Sequence, residues 1–212
     1  MRIAVVGGTG TIGSAIVKEL ASDAEVLVAG RSAARDLHID ITSEESIESF
    51  FKAHGSSLDH VVVACGDVSF APLDKLNSDL FRVGFNSKFL GQVNVVRIGS
   101  KYMRNGTGFT LMSGILSLHT VKASSAAAPT NAAIESFAKA SSLELLERGI
   151  RVNVIAPCLV SESAAAYGPF FQGFIPLPAA TIAKTYRRSV YGGITGETLY
   201  ILGGEGQYVL KH

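Results

Sequence analysis

The stretch VVGGTGTIGSAI, Val5 to Ile16, restricts the fold more than any other part of the chain. The apolar run IAVV leads into it, and a segment with apolar residues at helical spacing, Ile12 to Leu20, leads out of it. Glycines at positions 7, 10 and 13 allow a tight turn, close approach of a pyrophosphate to backbone N–H groups, and close packing of helix on strand. Gly8 loosens the turn further, and the N-terminus of the following helix offers partial positive charge to an anion. A glycine-rich string alone is weak. With a strand before it, a helix after it and a place at the start of the chain, it marks the first βα unit of a dinucleotide-binding fold.

The rest of the chain continues that pattern. Apolar runs predict strands near Ile3 to Val6, Glu25 to Ala29, Asp59 to Ala64, Gly108 to Met112, Arg151 to Ala156 and Leu199 to Leu202. Helical patterns fall between them. Thr42 with Glu45 suggests a capping box, Asn77 precedes a long pattern through Met103, and Ala132 to Arg148 ends at Gly149. This alternation predicts an α/β fold: a Rossmann-like doubly wound parallel sheet in a three-layer α/β/α sandwich, one domain over residues 1–212. A single domain of that length buries about 70% of its unfolded surface. The exception is Ser161 to Arg188, with AAYGPFFQGFIPLP, whose glycines, prolines and aromatics suggest a lid over a substrate.

Composition excludes several function classes. Formal charge is +1 with no dense Lys/Arg run, so the electrostatic footprint of a nucleic-acid binder is absent. No apolar run reaches the roughly 18 residues of a membrane span, and the glycine turn comes too early for a signal peptide, which together suggest a cytoplasmic protein. Cys65 and Cys158, the only cysteines, form neither a CxxC nor a zinc spacing, so they are expected to be buried free thiols and no metal site is indicated.

The second strand ends in AGRS. About twenty residues past the glycine turn, a carboxylate would bind the ribose 2′-hydroxyl of NAD, whereas an arginine accommodates a 2′-phosphate. Arg31 and Ser32 therefore favour NADP(H) over NAD(H); Asp36 lies too far along to be the obvious ribose ligand. In HIDI, Asp40 and Ile41 are expected at the end of a third strand beside the adenine, reached by a connection too short for a crossover helix.

With these pieces placed, the chain resembles the short-chain dehydrogenase/reductase family over nearly its whole length. The resemblance rests on GGTGTIG, the Asp-Ile of HIDI, VVVACG, FNSKFLGQVNV, TLMSG, NAAIESFAKA, RVNVIAPCLV and ITGETLYILGG, in that order. It implies a nicotinamide cofactor, oxidoreductase chemistry on a small-molecule substrate, and a homodimer or homotetramer built on the two long central helices. Carried over residue by residue, it places Gly7, Thr9, Gly10, Thr11, Ile12 and Gly13 on the pyrophosphate and Asp40 and Ile41 on the adenine. Ala64, Cys65 and Gly66 match the ribose turn, and Pro157 and Leu159 the nicotinamide. The family's Pro-Gly is Pro-Cys here, and Glu162 stands about where a threonine often binds the carboxamide.

The family's proton chemistry is missing. Aligning NAAIESF with the family's Lys-Ala-Ala-x-x-x-Phe puts Asn131 in the lysine's place and Ala127 in the tyrosine's, and no Tyr-x-x-x-Lys occurs anywhere in the chain. The interval from the family's serine to its tyrosine lands on Gly114, with Ser113 adjacent, while Asn86 matches the helper asparagine. Positioned acid catalysis contributes about 10²- to 10⁴-fold in rate, on the order of 3 to 5 kcal/mol. Its replacements in sequence are His119, with Lys122 in the same loop, and Tyr167 in the lid; Ser113 and Asn131 are left to bond a carbonyl or the ribose. Three functions stay open: an NADP(H)-dependent oxidoreductase on a small carbonyl or alcohol with a nonstandard proton donor, a catalytically impaired dinucleotide-binding sensor or regulator, and a scaffold with an empty cleft.

Overall fold

A computed structural model of the chain describes residues 1–31, 36–203 and 208–210. Its strands are β1 (Arg2–Val6), β2 (Glu25–Gly30), β3 (Leu37–His38), β4 (His60–Val63), β5 (Gly108–Met112), β6 (Arg151–Ala156), β7 (Thr198–Ile201) and β8 (Tyr208–Leu210). They form one sheet in the order β3-β2-β1-β4-β5-β6-β7-β8, parallel except for β8, which runs antiparallel to β7. The chain winds outward in one direction through β2 and β3, then restarts on the other side of β1 at β4. Both central pairings end at Val6, which sits opposite Ala29 on β2 and Val63 on β4. The crevice outside the strand ends at that reversal is where open α/β sheets bind ligands.

The helices are α1 (Thr11–Leu20), α2 (Glu44–His54), α3 (Ser78–Gly84), α4 (Gly91–Gly99), α5 (Ala127–Glu144), α6 (Ala164–Tyr167) and α7 (Ala179–Tyr191). Side chains alternate across a strand, and β1 shows the result. Ile3 and Val5 join Ile16, Leu20, Ile182 and Tyr186 on the face covered by α1 and α7. Ala4 and Val6 join Ile47, Phe51, Val95 and Ile134 on the face covered by α2, α4 and α5. All these side chains are buried, which explains why the strands read as continuous apolar runs rather than as alternating ones. The doubly wound, three-layer architecture is the one expected from the sequence.

Three local expectations change. The cap of α2 is Ser43, whose hydroxyl accepts from Ser46 N–H, because Thr42 instead bonds the Asp40 carboxylate through both its N–H and its hydroxyl. The long pattern from Asn77 to Met103 is not one α-helix: Asn77 caps α3 through Leu80 N–H, and residues Phe85–Leu90 form a π-helical turn before α4. The segment 161–188 divides, since 179–188 belongs to α7, a core helix packed on α1. Only 161–178 remains irregular enough for a flap. There Phe70 meets Tyr167, Phe170 and Phe171 at ring separations of 5.8, 5.2 and 6.4 Å. No described helix is long and apolar enough to cross a membrane.

Candidate functional site

The crevice at the β1/β4 reversal opens into a cavity of about 370 Å³. Gly7, Thr9 and Gly10 form one wall, Arg31 and Asp40 to Thr42 another, and Ala64 to Asp67 with Ser87 the third. The turn at its base is held by Gly10 N–H on the Gly7 carbonyl. Gly13 is what lets α1 come so close: a Cβ there would lie 2.1 Å from the Gly7 carbonyl oxygen. No side chain caps α1, no acidic residue lies in its first turn, and Gly10 at its start lines the cavity, so the positive end of its dipole adjoins that space. Thr11, Ile12 and Gly13 contribute this helix end rather than the cavity wall. An uncapped helix end with a guanidinium at the opposite rim suits a phosphate-bearing nucleotide.

Around that cavity the electrostatics follow from the hydrogen bonds. Asp40 is held below the usual carboxylate range, chiefly by Thr42 N–H and further by the Thr42 hydroxyl and the Arg31 charge. Ile41 is buried beside it, and Ser32 lies outside the described residues. Burial pushes the Cys65 thiol up to about 12, and that of Cys158 upward too, so both are protonated and inert at neutral pH. Both are free thiols; Cys158 is buried as expected, whereas Cys65 is half-buried. Among the described residues no cluster of His, Cys, Asp or Glu could hold a metal ion.

At the other end of the cleft, the residues that sequence reasoning proposed for catalysis are rearranged. Ser113 is buried at the end of β5, and its hydroxyl donates to Glu135 Oε1 on α5 at 2.8 Å. The same carboxylate accepts from Ser117 Oγ at 2.5 Å and, on Oε2, from Tyr200 OH at 2.5 Å. Gly114 packs closely on α5, since a Cβ there would lie 2.9 Å from Asn131 Nδ2. Ala127, in the place of the expected tyrosine, is fully buried in the core. Asn86, matched to the helper asparagine, points outward and is exposed.

The π-helical turn accounts for the last change. It brings Lys88, two residues past Asn86, to the inside of the helix. Lys88 is 7% exposed, and its Nζ donates to Ser113 O at 2.7 Å and to Asn131 Oδ1 at 2.9 Å. Burial lowers its pKa to about 8, opposed in part by the negative charge of Glu135. Gln92 fixes the turn: its amide nitrogen Nε2 donates to Lys88 O and Met112 O while its Oε1 accepts from Met112 N–H. Sequence reasoning missed Lys88. The available signal was a lone lysine among VGFNSKFLG, four residues before a glutamine on the same helix.

The remaining candidates lie apart from this cluster. His119 is exposed, with its backbone N–H bonded to Ile115 O and no ring hydrogen bond among the described residues. Tyr167 is 45% exposed in α6 and packs on Phe70. Pro157 and Leu159 are buried, and their carbonyls accept from Ile115 N–H and Leu177 N–H, tying the β5 and β6 ends to the flap. Glu162 does not take the expected threonine's role: its carboxylate accepts from Ala179 N–H and caps α7 from 17 residues away.

Comparison with known proteins agrees with this architecture. A family model described as enoyl-(acyl carrier protein) reductase matches residues 8–183. Hydroxynaphthalene reductase arp2 of Aspergillus fumigatus is 30% identical over 191 residues, covering 78% of this chain and 70% of that protein. The structure of lin1944 from Listeria innocua superposes with a TM-score of 0.90 at 37% identity, covering 95% of this chain and 99% of the other. A small-chain dehydrogenase in complex with NADPH superposes with a TM-score of 0.84 at 29% identity, covering 97% and 98%. The chain belongs to the short-chain dehydrogenase/reductase family of oxidoreductases.

Proposed function

We propose that this protein binds NADP(H) in preference to NAD(H) and reduces a small carbonyl compound with it. The observation that carries this reading is the cavity at the β1/β4 reversal, which pairs an uncapped helix terminus with Arg31 across the space a phosphorylated ribose would fill. The NADPH held by a relative of 29% identity supports the choice of coenzyme, and the reductase name of arp2 supports the direction of the reaction. Gly7 to Gly13 hold the pyrophosphate, Asp40 and Ile41 flank the adenine, and Ala64 to Gly66 line the ribose.

The segment 161–178 closes over the substrate side, and its contact with Phe70 suits an apolar substrate. Exposed Phe85 and Leu90 beside α3 and α4, with Leu143 on α5, supply a face on which a homodimer or homotetramer assembles. The loss of tyrosine and lysine at Ala127 and Asn131 favours a second reading, a dinucleotide-binding regulator without turnover. One assay separates the two: NADPH consumption across a panel of aldehydes, ketones and quinones. Turnover with any of them supports the reductase, and tight NADPH binding with none supports the regulator.

A further inference from the structure

The Lys88 ammonium spends only two of its three N–H groups, on Ser113 O and Asn131 Oδ1. Among the described residues no carboxylate forms an ion pair with it, and both oxygens of Glu135 accept from Ser113, Ser117 and Tyr200 instead. A buried cation held by neutral acceptors alone is costly. It is nevertheless placed by three independent elements. Its stem runs against the ribose turn, where Gly66 adopts φ +121° and a Cβ would lie 2.7 Å from Lys88 Cα. Its carbonyl is bonded by Gln92, and its tip lies between the end of β5 and α5. A dinucleotide seated in the β1/β4 cavity meets Gly66, which lines it, and the Lys88 stem lies directly behind that glycine.

We propose that Lys88 is the catalytic proton donor for carbonyl reduction at this end of the sheet, an assignment that rests on the reductase reading above. When bound, NADPH supplies a hydride to the carbonyl carbon. The C=O π pair moves onto oxygen, and one proton passes to that oxygen from Lys88 Nζ. The products are the alcohol, NADP+ and a neutral Lys88 amine, which solvent reprotonates. A pKa lowered to about 8 by burial keeps the group protonated near neutrality and makes the neutral amine accessible. The charged group acting on it is Glu135 on α5, which opposes the lowering; on the ribose turn the Asp67 N–H donates to Ser87 Oγ and the Cys65 thiol is uncharged.

The test uses K88M and K88R, the second keeping a cation that does not release its proton. With a carbonyl that the wild type reduces, kcat/KM is expected to fall above about pH 8. Both variants are expected to lose about 10²- to 10⁴-fold while their NADPH Kd stays within roughly threefold. A second readout needs no turnover: nitrogen-15 NMR titration of the Lys88 amine, identified by its loss in K88M. The positive nicotinamide of NADP+ should lower the Lys88 midpoint relative to NADPH, since the two forms share every other charge. The same midpoint with both coenzymes, or K88M turning over within about threefold of wild type, overturns the assignment and leaves the reductase reading standing. A wild type that binds NADPH and reduces nothing overturns both.

Discussion

Replacing Lys88 by methionine should change how stability depends on pH, in a direction the site determines. The folded-state pKa is about 8 against an ordinary 10.5. Between those values the unfolded chain still holds a proton that the folded chain has released, so wild-type stability gains a positive slope as pH rises. At lower pH both states are protonated and the burial cost is fully present. It is relieved as pH climbs through the folded pKa. For a shift of this size, the gain from about pH 7 to about pH 10 is roughly 2.5 kcal/mol.

Other groups titrate in the same window. Cys65 works in the opposite sense, because its unfolded thiol ionises near 9.0 while the folded one holds its proton to about 12. K88M shares that behaviour, so the quantity to measure is the difference between the two proteins. Urea unfolding of both at several pH values, with m-values compared, gives it directly. The expected result is that wild type gains on K88M by about 2 to 3 kcal/mol across the window. A difference that stays flat would show that Lys88 titrates as an exposed lysine, and the buried cluster with Ser113 and Asn131 would be wrong.

Three further outcomes are expected. G13A, which in an ordinary helix interior would stabilise by about 1 kcal/mol, should instead lower Tm and weaken NADPH binding at least about tenfold, because the new Cβ meets the Gly7 carbonyl; thermal unfolding and NADPH fluorescence read both. R31A should lose about tenfold in affinity for NADPH and little for NADH, the size expected for one charge-assisted contact with a 2′-phosphate; titration with both coenzymes reads it, and equal losses would remove Arg31 from that role. E162A should cost about 0.5 to 2 kcal/mol in urea unfolding through the lost cap of α7, with NADPH affinity unchanged.

What was legible in the sequence was local. The glycine turn is specified by steric needs within seven residues, and the strands by apolar runs buried on both faces, so both read directly from the chain. The helix expected over Ala132 to Arg148 instead runs Ala127–Glu144, and Gly149, with φ 62°, closes a separate 3-10 turn at Leu146–Arg148. What was not legible depends on partners far apart or on a change of helical pitch. A π-helical turn shifts which residues face inward, so a lysine replaces an asparagine at the site, and α-helical spacing gives no sign of it. Glu162 caps a helix beginning 17 residues later, a pairing that only the folded loop creates. Ser113 carries a hydroxyl at nearly the expected place, and its bond to a carboxylate on α5, 22 residues on, is a pairing that only the fold creates.

Calorimetric titration of the purified protein with NADPH and with NADH bears most directly on the central reading, that the cleft at the β1/β4 reversal holds a 2′-phosphorylated dinucleotide. Binding of NADPH at least about tenfold tighter than NADH is the predicted result. Equal affinities would contradict the assignment of Arg31, and no heat from either coenzyme at millimolar concentration would contradict the site itself.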